Sequence, residues 1–240
     1  MLLFYIRHGA PTYDPDQLTP LGHRQAEAIG KRLALFGVDK IYSSTSNRAI
    51  QTATPACELM GKELTQLDFM NESHAWNAMT YVSSNGRRGW IPDNPEPLGI
   101  ITSPEMKQYG DRWYEHPSFK DYGYGEYLEK TGREIDELFA SHGYVHDRER
   151  SVFKSEKPTD ERIAIFAHAG FGSVFFSSLL DIPYHRYSLG YDMSHTGMTV
   201  VEFREYNGVY IPKVLTYSND GHIYKEGLPT AYNNRNGMRF

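Results

Sequence analysis

The chain of 240 residues has a single cysteine, Cys57, so no internal disulfide can form. A lone thiol fits a reducing compartment, and a cytoplasmic location is the expectation. Long hydrophobic runs are also missing. The run Leu2 to Ile6 is far short of the roughly 20 residues that a membrane helix needs. It starts at residue 2 without a basic leader, so neither a signal peptide nor a membrane anchor is expected. Positive charge is scarce, with 25 Lys and Arg against 30 Asp and Glu and a net charge of -5. That balance excludes a global basic surface for nucleic acid or membranes, so any anion site must be a local pocket. No internal repeat, low-complexity tract or metal-binding motif is visible. His142 and His146 have helical spacing, but Gly143 intervenes and no acidic partner is spaced to help them hold a metal.

What is present is the make-up of a globular protein, 40% hydrophobic and 23% charged, in one large domain or a core with an insertion. Leu2 to Ile6 reads as a fully buried strand and runs without a gap into Arg7-His8-Gly9. Thr19-Pro20 opens a helix with Ala26, Ile29, Leu33 and Phe36 on one face, and Gly37 ends it. A strand over residues 40–43 and a helix over 47–60 follow, and this alternation argues for a parallel sheet. A second buried strand, Ile163 to Ala167, leads into His168-Ala169-Gly170 and then an apolar helix from Val174. Two later strands are joined by Asn207-Gly208, a hairpin signal.

Residues 73–160 break the rhythm. They hold all three tryptophans, a Pro-rich stretch at 92–97 and one clear amphipathic helix over 126–139, while 147–162 is charged and expected to be exposed. The division expected is a core of residues 1–72 and 161–224, an insertion or cap at 73–160 packed on it, and a polar tail at 225–240, all within one domain. The aromatic load of the insertion predicts either its own core or a face for stacking a substrate.

Two buried strands thus end in histidine followed by small residues, Gly9 and Gly170, that let a ligand approach the backbone. Arg48 opens the helix after the next strand. Parallel strands put all three tips on one edge of the sheet, where ligands of α/β proteins bind. Two arginines and two histidines facing a helix end suit a phosphate dianion.

Arg7-His8-Gly9, Leu18 to Ala26, Tyr42-Ser43-Ser44 with Arg48-Ala49 and Thr52-Ala53, and Ala167-His168-Ala169-Gly170 together resemble the histidine phosphatase superfamily, which includes cofactor-dependent phosphoglycerate mutases. The matches fall in family order over residues 1–72 and 161–222. The resemblance implies a three-layer α/β/α sandwich with a mostly parallel central sheet and a partly helical insertion over the active site. It implies His8 as nucleophile, Arg7, Arg48 and His168 as phosphate ligands, and Glu72 as the acid for the leaving oxygen, with Asp68 as the nearby competitor. His195, before a strand, falls where the family carries a segment near the site. Neither metal nor cofactor is expected.

The expected function is hydrolysis of a small phosphomonoester through a phosphohistidine. The alternatives are phosphoglycerate mutase-type transfer, for which Arg87-Arg88 is a faint substrate-binding pair, and a non-catalytic module that holds a phosphorylated ligand. The expected partner is a small molecule; oligomeric state is open.

Overall fold

The computed structural model describes residues 1–230. Strand β1 (Leu2–Arg7) organises it. Leu3 and Tyr5 join one apolar cluster and Phe4 and Ile6 another, so the strand is buried on both faces and needs helices on both. Burying each of these side chains contributes roughly 1.5–3 kcal/mol. A hairpin, β2 (Pro11–Tyr13) and β3 (Asp16–Leu18), leads to α1 (Pro20–Phe36). Thr19 caps α1, its Oγ1 accepting from the Gly22 N–H at 3.0 Å, and Gly37 at φ 69° closes it. Then come β4 (Lys40–Ser43), α2 (Asn47–Met60) and β5 (Leu64–Gln66).

The insertion region begins with α3 (Glu72–Ala78) and the hairpin β6 (Thr80–Val82) with β7 (Arg88–Trp90). It continues through α4 (Pro95–Ile101), 3-10 turns, α5 (Tyr124–Ser141), β8 (Val145–Asp147) and β9 (Val152–Lys154). The core resumes with β10 (Arg162–Ala167), α6 (Ala169–Leu179), α7 (Tyr184–Gly190), β11 (Met198–Tyr206), β12 (Val209–Asn219) and α8 (Gly221–Lys225).

One sheet has the order β5-β4-β10-β1-β11-β12-β9-β8. Strands β5, β4, β10 and β1 are mutually parallel, and β11 and β9 run against them, so six of the eight point one way. Ile29, Leu33 and Ala53 of α1 and α2 cover one face; Ile135, Phe139, Phe171 and Phe175 of α5 and α6 cover the other. The result is the three-layer α/β sandwich expected.

Two expectations are corrected. The charged stretch 147–162 is not simply exposed: Val152 and Phe153 are buried, and β8 and β9 extend the central sheet. The charges mask a strand whose few apolar residues point inward. Helix α6 starts at Ala169, five residues before Val174, because His168 itself adopts an extended N-cap conformation. Trp113 is fully buried in the insertion's own cluster, stacked on Tyr124 and on Tyr184 of α7, which ties the insertion to the core. Residues 231–240 of the polar tail lie outside the described residues; before them, Ile223 and Leu228 pack against Ala28 of α1.

His142 and His146 are structural. His142 meets the Tyr42 hydroxyl at 3.0 Å and Glu161 at 2.5 Å. His146 donates from Nδ1 to Asp136 at 2.9 Å and from Nε2 to Asp181 at 3.0 Å, which requires the imidazolium, and Arg148 bridges the same two carboxylates. Burial acts to lower the His146 pKa, but the two carboxylates overcome it and hold it above the ordinary 6.5. A raised folded-state pKa gives stability that is full below about 6.5 and lost as pH rises through the folded value. His146→Gln is expected to cost about 2 kcal/mol at pH 6 and progressively less at alkaline pH. Urea unfolding of both proteins from pH 6 to 9 checks this; a pH-independent difference would refute it.

Candidate active site

The sheet register builds the site. Arg7 pairs with Ala167 across the parallel β1–β10 ladder, so the next residues, His8 and His168, leave the sheet side by side. Their ring centroids lie 5.2 Å apart. Phe166 pairs with Ser43 on the other side, which sets Ser44 against His168. On the antiparallel side the Thr196 N–H donates to the Arg7 and His8 carbonyls, and the His195 ring comes to 5.6 Å from His8. Thr196 holds φ at 54°, an unusual conformation for a β-branched residue, kept by those two bonds and by His222 at its Oγ1.

His8 is 1% exposed, and its Nδ1 lies 2.8 Å from the Gly9 carbonyl. A carbonyl can only accept, so Nδ1 carries the proton and Nε2 keeps its lone pair. Burial first, then His168, Arg7 and Arg48, push the His8 pKa well below 6.5, so the ring is neutral at pH 7. His168 is fully buried and likewise held neutral, by burial and then by Arg48 and Arg7. The Ser44 hydroxyl already accepts from the Ser46 N–H at 3.1 Å and lies 2.8 Å from His168 Nε2. Nδ1, on the other side of the His168 ring, faces Glu72.

Glu72 opens α3 behind the Asn71 cap, and its Oε1 accepts from the Phe171 N–H at 3.0 Å, in the first turn of α6. Its Oε2 is 3.3 Å from His168 Nδ1, out of hydrogen-bonding alignment, and 3.9 Å from an Arg48 nitrogen. Burial raises the Glu72 pKa, more than the Phe171 N–H and the two arginines lower it. Asp68, its competitor, is exposed and paired with His74 and Thr45, away from the imidazoles. Its pKa is lowered, chiefly by the His74 bond.

Arg7 is buried and donates to the Met193 carbonyl. Arg48 is 8% exposed, bonded to Asp16 at 2.8 Å, with its guanidinium 5.4 Å from the Tyr13 ring. His168 Nδ1, His195 Nε2 and Arg48 Nε are all buried without a hydrogen-bond partner among the described residues. Each such group costs about 1–3 kcal/mol, and their convergence on His8 marks a place for a ligand. The His195 pKa falls to about 3, by burial and then by Arg7.

Both glycines are closely packed, and Gly170 also lines a cavity with Trp90. A Cβ on Gly9 would meet the Gly22 carbonyl at 2.7 Å, so Gly9 is demanded by packing on α1. On Gly170 it would meet Glu72 Oε1 and the Trp90 ring at 2.5 Å, so Gly170 keeps room for those two side chains.

Ligand atoms of His8, Glu72 and His168 all lie within 4.8 Å of one another, close enough to hold a metal ion. Two guanidiniums beside them disfavour a cation and favour an anion. Ser44 and Asp16 were not singled out from the sequence: Ser44 is one of a run of hydroxyls and Asp16 one of several loop carboxylates, and only strand order brings them to His168 and Arg48.

Residues 3–94 match the sequence profile of the histidine phosphatase superfamily (branch 1), which bears out the resemblance over a span that holds Arg7, His8, Arg48 and Glu72. No curated protein matches the chain significantly in sequence. Solved structures do match in fold. A phosphoserine phosphatase mutant from Entamoeba histolytica, in complex with phosphoserine, superposes with a TM-score of 0.58 at 16% identity, covering 92% of this chain and 98% of that one. A mycobacterial glucosyl-3-phosphoglycerate phosphatase with VO3 gives 0.57 at 18%, covering 90% and 98%. A protein described as mycobacterial hydrolase 1 gives 0.57 at 17%, covering 91% and 98%.

Proposed function

We propose that this chain, with its histidine phosphatase profile and fold, is a metal-independent phosphomonoesterase that works through a phosphohistidine on His8. The observation that carries the reading is the neutral His8 ring, with Nδ1 tied to Gly9 and Nε2 free to attack, beside His168 and within the field of Arg7 and Arg48. In the first step His8 Nε2 forms a bond to phosphorus while the ester P–O bond breaks. Arg7, Arg48 and His168 hold the equatorial oxygens, and protonated Glu72 gives its proton to the leaving alcohol. In the second, water attacks phosphorus, the P–N bond breaks, and the Glu72 carboxylate takes the water proton. His195 contributes a neutral ring at the rim.

Hydrolysis is favoured over mutase transfer because Arg88 is spent on Thr80 Oγ1 and on the carbonyls of Trp76 and Asn77, and neither it nor Arg87 lines a cavity at the site. A small-molecule substrate suits the cavities of about 350 and 680 Å³ there. Among the described residues no helix is long and apolar enough to cross a membrane. The negative net charge supports no nucleic-acid or membrane partner, and the single cysteine supports a cytoplasmic setting.

The test is a rapid quench with a labelled phosphomonoester, which should trap an adduct labile to acid and stable to alkali on His8. Saturable phosphate binding with neither adduct nor turnover would favour a binding module; efficient isomerisation of 3-phosphoglycerate dependent on 2,3-bisphosphoglycerate would favour a mutase.

A further inference from the structure

We propose that His222 is a positioning residue for His8: acting through Thr196, it holds the His8–Gly9 peptide in the orientation from which the His8 ring attacks. The proposal rests on the hydrolase reading above and adds to it a residue of α8.

The aim of the His8 ring is set by its backbone. Nδ1 is tied to the Gly9 carbonyl, so the ring turns with the chain on which it stands. The His8 N–H donates to the Ala167 carbonyl at 2.8 Å, alongside the β1–β10 ladder. The peptide that follows is gripped at both ends. The Gly9 N–H donates to Thr52 Oγ1 at 3.0 Å, and the His8 carbonyl accepts from the Thr196 N–H at 3.2 Å. Thr52 stands on α2, whereas Thr196 lies in a turn before β11.

The conformation that delivers the Thr196 N–H is costly. Its φ of 54° is one that β-branched residues avoid, and relaxation to negative φ would swing the N–H away from His8. The side chain supplies the restraint. Oγ1 donates to the His195 carbonyl at 2.7 Å and lies 3.0 Å from His222 Nε2. The far side of the His222 ring gives the direction of that second bond. Arg32 Nη1 lies 3.3 Å from Nδ1, and a guanidinium can only donate, so Nδ1 keeps its lone pair and Nε2 carries the proton. Burial, then Arg32, lowers the His222 pKa to about 4, which keeps this neutral form at pH 7. Arg32 is itself held by Asn219 Oδ1 at 2.6 Å. From Arg32 through His222 and Thr196 to the His195 carbonyl, each group donates to the next. His222 is 4% exposed, which keeps bulk water from taking its place.

The test uses an alkyl phosphate and kcat/KM, which reports the first step. His222→Leu removes the donor and should lower kcat/KM by about tenfold to a hundredfold, the cost of a reacting group misplaced by up to about an ångström. Affinity for inorganic phosphate should change less than about threefold, because Arg7, Arg48 and His168 remain. His222→Gln, which restores an N–H, should stay within about threefold of the parent in kcat/KM. In a Thr196→Gly background, where φ is unstrained and the hydroxyl is gone, His222→Leu should cost less than about threefold. Should a thermal melt show that His222→Leu does not fold, Thr196→Val removes the same bond from its other end and should bring the same fall. A parental kcat/KM in the Leu or Val variant, a matching loss of phosphate affinity, no rescue by Gln, or an equal loss in the Thr196→Gly background would overturn the proposal and leave the hydrolase standing. A parent without phosphatase activity would overturn both.

Discussion

Replacing His8 by alanine is expected to lower kcat on any phosphomonoester by about 10⁴-fold or more, with the fold intact. The size follows from what is removed. In the proposed mechanism the ring supplies the atom that bonds to phosphorus, and loss of a nucleophile from a preorganised site leaves only binding and electrostatic contributions to the rate. The fold should survive because β1 is held by the alternate burial of Leu3 to Ile6 and by backbone ladders to β10 and β11, none of which uses the imidazole. Phosphate should still bind, since Arg7, Arg48 and His168 remain. Steady-state rates, a phosphate titration and a thermal melt on the one variant check all three. A residual rate within about tenfold of the parent would mean that His8 is not the attacking group.

Glu72→Gln should separate substrates by leaving group. An alkyl phosphate leaves as a strongly basic alkoxide and needs a proton, so its kcat/KM, which reports the first step, should fall by about 10²–10³-fold. A nitrophenyl ester leaves as a stable phenolate and should lose less than about tenfold in kcat/KM. The pH profile adds an independent sign. Burial holds the Glu72 carboxyl above its usual pKa, so hydrolysis of the alkyl ester by the parent should decline as pH rises through that raised value. The decline should vanish in Glu72→Gln, which cannot titrate. Equal losses on both esters would remove Glu72 from the acid role and leave it a structural brace for α6.

Much of this was legible where the signal is local. The five apolar residues before Arg7, the Thr19-Pro20 cap and the Asn207-Gly208 turn, which adopts φ of 50° and 81°, each carry their structure in a few adjacent letters. The pairing of His8 with His168 was legible because two identical strand endings in a parallel sheet have one natural place to meet. What was hidden depends on the order of strands. Nothing local says that β4 lies beside β10, so the contact between Ser44 and His168 could not be read. The strand β9 was masked because Val152 and Phe153 stand among charges that face solvent. The tryptophans look alike in sequence, yet Trp113 is sealed in the insertion while Trp76 and Trp90 frame a cavity.

The two imidazoles come from strands separated by some 160 residues of chain but adjacent in the sheet, and the insertion lies within that detour. The proposed bond-making atoms therefore sit on rigid ladders, whereas Trp76 and Trp90 sit on the detour. Evolution can lengthen, trim or rewrite the detour without moving the chemistry, which makes a new substrate a matter of local editing.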